Sequence, residues 1–304
     1  MTLETSEKNI FKFHIELFKP REAELKIRLG HEPLVDFEVI PYRGISEGRQ
    51  SRVSILEYEV EKQKRRVLWK RMGAGKNLTE DEAETFHRRL EPYRQELIKA
   101  GWNLPSIYYT DTVAVGDEFQ VFSYEELITG GDGEFMVVNP EEPNFRKYFL
   151  IRSVLETLAS YPERSLQRRI IAGQETTLMP HGLDLKLANL VLNEAGKLFF
   201  VDLFGPKEID QNGCWLTYSR KLDTLAEENL LAVCATRGGA ILRFYRLAEK
   251  LWTQAGGIST QKLRSDFGDV LVSTKMPKGE TDFIVSEISA GFPWLDRVYS
   301  ESRV

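Results

Sequence analysis

Apolar and polar residues alternate in the first part of the chain. Phe11, Phe13, Ile15 and Leu17 interleave with polar neighbours, as do Leu25, Ile27 and Leu29, and then Val35, Phe37 and Val39. A period of two places such residues on one face of a strand, so three strands are expected here. From Tyr42 to Met72 the pattern reads strand, loop, strand, turn, strand. Phe119 to Tyr124 is a further strand signal. The period then lengthens. Phe86, Leu90, Tyr93 and Leu97 recur at helical spacing within 78–100, and Thr79 with Glu82 forms a capping-box pattern at its start. Pro92 is expected to kink this helix or begin a new one.

Helical spacing returns in Phe145, Tyr148, Phe149, Arg152, Leu155 and Leu158, a helix expected to lie under the loop at 181–189. Residues 225–235 and 240–252 read as two more helices, with Gly238-Gly239 between them, and Phe292-Pro293-Trp294 belongs to a closing segment. Gly130-Gly131-Asp132-Gly133 reads as a loop and as a boundary between two parts of the chain. Arg168 and Arg169 form a solvated face or a patch for an anionic substrate.

The densest chemistry lies between Pro180 and Pro206. Asp184, Lys186 and Asn189 are followed by two short apolar runs, 190–192 and 198–201, with a turn at 193–197, and then by Asp202. A hairpin brings its ends together, so Asn189 and Asp202 should meet at one edge. A carboxylate and an amide carbonyl there suit a divalent cation that also takes phosphate oxygens. Asp184 would lie nearby, able to orient or deprotonate an attacking hydroxyl.

The order Asp184, Lys186, Asn189, Asp202 resembles the catalytic and metal-binding loops of the protein-kinase-like phosphotransferases, aminoglycoside and choline kinases among them. The chain departs from the family in two places. Gly182 and Leu183 both stand between His181 and Asp184, and Leu203 is inserted into what would be Asp-Phe-Gly. The resemblance implies an α+β, two-lobed protein-kinase-like fold. Residues 1–41 would be an extra N-terminal β element, 42–130 a β-rich, nucleotide-binding N-lobe, and 131–304 a mostly helical C-lobe.

It also implies roles. Lys70, on a strand with Leu68, would reach the nucleotide phosphates while Leu68 touches the adenine. Gly48 and Ser51 would belong to a reduced glycine-rich loop over the phosphates. Glu91 would hold Lys70 in place, with Glu96 and Glu84 as alternatives. Glu126, Leu127 and Ile128 would be the hinge against the base. Asp184 and Lys186 would be catalytic, and Asn189 and Asp202 would hold magnesium. Asp223 resembles the residue that braces the catalytic loop.

The expected function is therefore ATP- and Mg-dependent transfer of a γ-phosphoryl group to a hydroxyl. No Ala-Pro-Glu motif follows Gly205, which favours a small-molecule acceptor, whereas Lys186 resembles serine/threonine kinases and keeps a protein acceptor open. The alternative is a pseudokinase, a nucleotide-binding or scaffolding module without turnover.

Composition narrows this little further. The 304 residues are 42% hydrophobic and 29% charged, as in ordinary globular proteins. A net charge of −5 argues against nucleic acid as the main partner. Cys214 and Cys234 have no zinc or disulfide spacing and suit a reducing compartment. The polar N-terminus and the lack of a long apolar run make the cytoplasm, away from membranes, the expected location.

Overall fold

The structure is a computed structural model. It describes residues 37–41, 52–60, 62–72, 78–161, 168–203, 207–210, 214–215, 224–256 and 258–301. The strand signals at 11–17 and 25–29, the loop residues Gly48 and Ser51, and Asp223 lie outside this set.

The fold is mixed α+β, with small antiparallel sheets and a helical C-terminal part. Strands β1 (Phe37–Pro41), β2 (Arg52–Val60), β3 (Gln63–Met72), β4 (Ile107–Val115) and β5 (Glu118–Glu126) form one sheet in the order β1-β2-β3-β5-β4. Every neighbouring pair in it is antiparallel. Strand β1 is the edge of this sheet, so the Phe37 alternation belongs to the same layer as Lys70.

Helix α1 (Glu80–Lys99) connects β3 to β4 and packs on β5. Its start follows the capping-box pattern, with Thr79 accepting from Glu82 N and Glu82 Oε2 accepting from Thr79 N. Phe86, Leu90, Tyr93 and Leu97 are buried as their spacing predicts. Pro92 does not begin a new helix; α1 runs through it. The proline deletes a single N–H of the ladder, and packing of the buried face carries the turn across the gap.

A second sheet holds β6 (Gly130–Asp132), β9 (Leu190–Asn193) and β10 (Leu198–Phe200) in the order β10-β9-β6. The glycine-rich stretch expected as a loop is thus β6, followed directly by α2 (Gly133–Val138). Asp132 caps that helix by accepting from Phe135 N at 2.8 Å. Strands β7 (Arg168–Ile171) and β8 (Gln174–Thr177) make a separate hairpin, so Arg168 and Arg169 lie on a strand.

The helical part comprises α3 (Asn144–Ala159), α4 (Thr224–Cys234), α5 (Arg237–Gln254), α6 (Thr260–Val272), α7 (Lys278–Ala290) and α8 (Pro293–Glu301). Helix α5 is central and packs on α2, α3, α4, α6, α7 and α8. It buries Ile241, Leu242, Phe244, Tyr245, Ala248 and Trp252. The face of α3 differs from expectation. Leu150, Ile151, Val154, Leu155 and Leu158 are buried, while Phe145 and Phe149 are exposed. Of the expected stripe, Leu155 and Leu158 are buried and Tyr148 packs on Trp252 of α5 and Phe267 of α6, while Phe145 and Phe149 stay outside. The turn Leu187–Asn189 at the end of the 181–189 loop packs on α2 and α5.

Gly238-Gly239 lies inside the first turn of α5, not between helices. A Cβ at Gly239 would come 1.7 Å from the Ala232 carbonyl oxygen, so the bare backbone allows α4 and α5 to meet at a sharp elbow. Among the described residues no helix is long and apolar enough to cross a membrane.

Candidate functional site

Lys70 is the residue through which the first sheet reaches the rest of the site. Its strand β3 lies between β2 and β5, and it stands across from Val53 and Ser123. Its ammonium is almost fully buried. It donates to the Val201 carbonyl oxygen at 2.9 Å and to Asp202 Oδ1 at 3.3 Å. Burial works to lower the Lys70 pKa, but the carboxylates of Asp202 and Glu125 outweigh it, and the pKa ends above its ordinary value. Lys70 is therefore a fixed cation, not a general base.

The hairpin of β9 and β10 explains why Asp202 is there. Leu190 pairs with Phe200 and Leu192 with Leu198. Asn193 closes the turn, its Oδ1 accepting from Lys197 N at 2.7 Å. At the open end, Val201 N donates to the Asn189 carbonyl oxygen at 2.9 Å. Asn189 Nδ2 in turn donates to the Asp184 carbonyl oxygen at 2.9 Å. Asp184, Asn189, Val201, Asp202 and Lys70 thus form one connected set.

The Asp184 loop is anchored on three sides. Leu183 N donates to the Cys234 carbonyl oxygen and Met179 N to that of Ala235, both at 2.7 Å, so the α4–α5 elbow runs beside the loop. Tyr93 of α1 donates its hydroxyl to the Gly182 carbonyl oxygen at 2.8 Å. On the third side, Gly182 N donates to Lys207 O at 2.5 Å. Gly182, one of the two residues between His181 and Asp184, has a packing reason. A Cβ there would lie 2.6 Å from Trp215 Cη2. His181 is buried, bonded through Nε2 to the Tyr161 hydroxyl, with Tyr93 edge-on at 5.7 Å. Burial pushes its pKa down to about 4, so it is a neutral packing residue at physiological pH.

Both Asp184 oxygens meet cations. Arg243 Nη2 donates to Oδ1 at 2.8 Å and Lys186 Nζ lies 2.9 Å from Oδ2. Burial pushes this carboxyl up, but Arg243, Lys207 and Lys186 prevail and bring its pKa to about 2. Asp184 is ionised at any physiological pH. It suits the orienting of a hydroxyl better than the storing of a proton.

A magnesium ion would find two protein oxygens here, the Asp202 carboxylate and the amide oxygen of Asn189, whose nitrogen is committed to Asp184. Among the described residues no group of three or more His, Cys, Asp or Glu side chains could hold a metal. The remaining ligands would come from water and phosphate, as magnesium accepts in nucleotide sites.

Other expected residues are placed as follows. Leu68 is half-buried opposite Glu125 and shares the face of Lys70. Glu126 ends β5, and its carboxylate accepts from Ser106 N at 3.1 Å and Ser106 Oγ at 3.0 Å. Leu127 and Ile128 follow, half-buried, before β6. Glu91 does not reach Lys70. Its carboxylate is 66% exposed and pairs with Arg94 at 3.3 Å. Position 91 falls on the turn of α1 that points away from the buried Leu90, Tyr93 and Leu97 face.

The second carboxylate felt by Lys70 is Glu125, which is 1% exposed and accepts from Ser123 Oγ at 2.5 Å. Its other oxygen is buried without a hydrogen-bond partner. Sequence reading missed Glu125, Arg243 and Lys207. Strand parity between Ser123 and Glu125 was a usable signal for the first; nothing local marked the other two. No protein-family model and no curated protein matches the sequence.

Proposed function

We propose that the chain is an ATP- and Mg-dependent phosphotransferase of two-lobed, protein-kinase-like architecture, moving the γ-phosphoryl group to a hydroxyl on a small-molecule acceptor. The observation that carries this reading is the contact of Lys70 Nζ with Val201 O and Asp202 Oδ1. A strand lysine and a hairpin-end aspartate, 132 residues apart in the chain, meet at one largely buried place. The five-stranded sheet with helix α1 between β3 and β4, followed by a largely helical remainder, also supports it.

In this reading Lys70 binds nucleotide phosphates, with Glu125 in the part first expected of Glu91. Asp202 and Asn189 hold magnesium, which supplies positive charge to the phosphates. Asp184 aligns the acceptor hydroxyl, and Lys186 offsets charge on the transferring group. Such catalysis is mainly positioning and electrostatic stabilisation. A second reading, nucleotide binding without turnover, draws on Asp184 having both oxygens occupied by Arg243 and Lys186.

Calorimetry of Mg-ATP against wild type, Asp202→Ala and Lys70→Ala tests the site. Magnesium-dependent binding that weakens in both variants supports it, and binding indifferent to both overturns it. ATP turnover across a panel of hydroxyl acceptors then separates the two readings.

A further inference from the structure

Asp184 rides on a short loop, yet the group that holds its Oδ1 comes from another element. Arg243 of α5 donates Nη2 to Asp184 Oδ1 at 2.8 Å and Nη1 to Cys234 Sγ at 3.0 Å. A guanidinium is a rigid planar fork, so two acceptors on different segments fix its plane as well as its place. Cys234 is buried at the end of α4, and its carbonyl oxygen also accepts from Leu183 N at 2.7 Å. It therefore meets the Asp184 loop twice, once through the main chain and once through the thiol and Arg243.

The elbow behind it is itself tightly set. Thr236 Oγ1 donates to Ala232 O at 2.6 Å and accepts from Gly239 N at 3.0 Å, beside the glycine contact that no Cβ fits. Lys186 is a weaker constraint. Its side chain is 40% exposed, and it rides on the loop it would have to fix.

We propose that Arg243 is a positioning residue: the fork it makes between Cys234 and Asp184 transmits the geometry of the α4–α5 elbow to the carboxylate that aligns the acceptor hydroxyl. This rests on the phosphotransferase reading for its catalytic consequence, though not for the fork itself. A misplacement of about 1 Å at a reacting group costs on the order of 10²-fold in rate. A buried ion pair adds little net stability, so orientation is the effect to look for.

The test has two arms. Thermal midpoints of wild type, Arg243→Gln, Asp184→Asn and the double variant, all without nucleotide, read the fork alone. Non-additive midpoints are expected, with the double variant less damaged than the two singles together; additive midpoints overturn the proposal. Steady-state kinetics read the consequence. Arg243→Gln should lose ~10²-fold in kcat with KM for ATP held within about twofold, Arg243→Lys should recover part of it, and Cys234→Ala should show a smaller loss of the same kind.

An unchanged kcat in Arg243→Gln, or an equal loss of ATP affinity in every variant, overturns positioning. Arg243→Lys keeps the charge and carries the kinetic arm should Arg243→Gln not fold. A wild type that neither binds nor hydrolyses Mg-ATP sinks the phosphotransferase reading, while the midpoints still decide the fork.

Discussion

Asp184 and Asp202 are both largely buried and both paired with cations, but they are held differently. Asp184 meets Arg243 at 2.8 Å and Lys186 at 2.9 Å, one on each oxygen. Asp202 meets Lys70 through a longer contact of 3.3 Å. The first arrangement grips a carboxylate through a rigid guanidinium and an ammonium; the second brings the buried ammonium of Lys70 only to 3.3 Å. Under the proposed function the first would be the orienting group and the second the cation ligand. Two aspartates of similar burial thus differ in how closely a cation approaches and in whether a rigid guanidinium is among the partners.

The largest effects should come from removing either carboxylate, and their signatures should diverge. Asp202→Ala should lose magnesium-dependent ATP binding together with turnover, the latter by about 10²–10³-fold. Asp184→Asn should lose turnover to a similar degree while calorimetry still detects Mg-ATP. Equal loss of binding in both variants would erase the distinction drawn here.

Next comes Lys70→Met. It strips the cation from the buried oxygens of Asp202 and Glu125, and urea denaturation should read a loss of about 3–5 kcal/mol. A far smaller loss would mean that Lys70 is not what holds the Asp202 side together.

A pH scan sharpens the Asp184 side, which His181 backs. The folded pKa of His181, about 4, lies below its ordinary 6.5. The unfolded chain therefore binds the proton first as pH falls. Its contribution is intact above about pH 6.5 and is lost through the window down to about 4, amounting to at most about 3 kcal/mol. Urea midpoints should drop across that window, and His181→Asn should flatten the drop.

The smallest effect is expected at Glu91. Glu91→Gln changes an exposed pair with Arg94 and should move stability by less than about 0.5 kcal/mol, with Mg-ATP affinity unchanged. A large loss of affinity would restore Glu91 as the partner of Lys70 in place of Glu125.

Much of the local structure was legible in the chain. The capping box before α1 and the buried face of that helix follow from side-chain type and period. So does the β9–β10 hairpin, because Asn193 and Gly196 supply its turn and apolar runs flank it. The hairpin also accounts for Asn189 and Asp202 lying at one end. What failed were inferences about which of two plausible faces or partners prevails. Phe145 and Phe149 read as core, yet the aliphatic face of α3 packs inward. Gly238-Gly239 read as a break, yet it is where two helices touch.

The sequence by itself determined the local vocabulary: strand parity at Leu68 and Lys70, the cap at Thr79, and the ordered set Asp184, Lys186, Asn189 and Asp202. These depend on residues near one another in the chain, where spacing alone sets geometry. Only the tertiary structure decided that Glu125 and not Glu91 shares the interior with Lys70, and that Arg243 forks between Cys234 and Asp184. The Lys70–Glu125 and Arg243–Asp184 pairings join segments far apart in the chain. Burial there raises the strength of every charge, and no local pattern records which distant element will supply the partner.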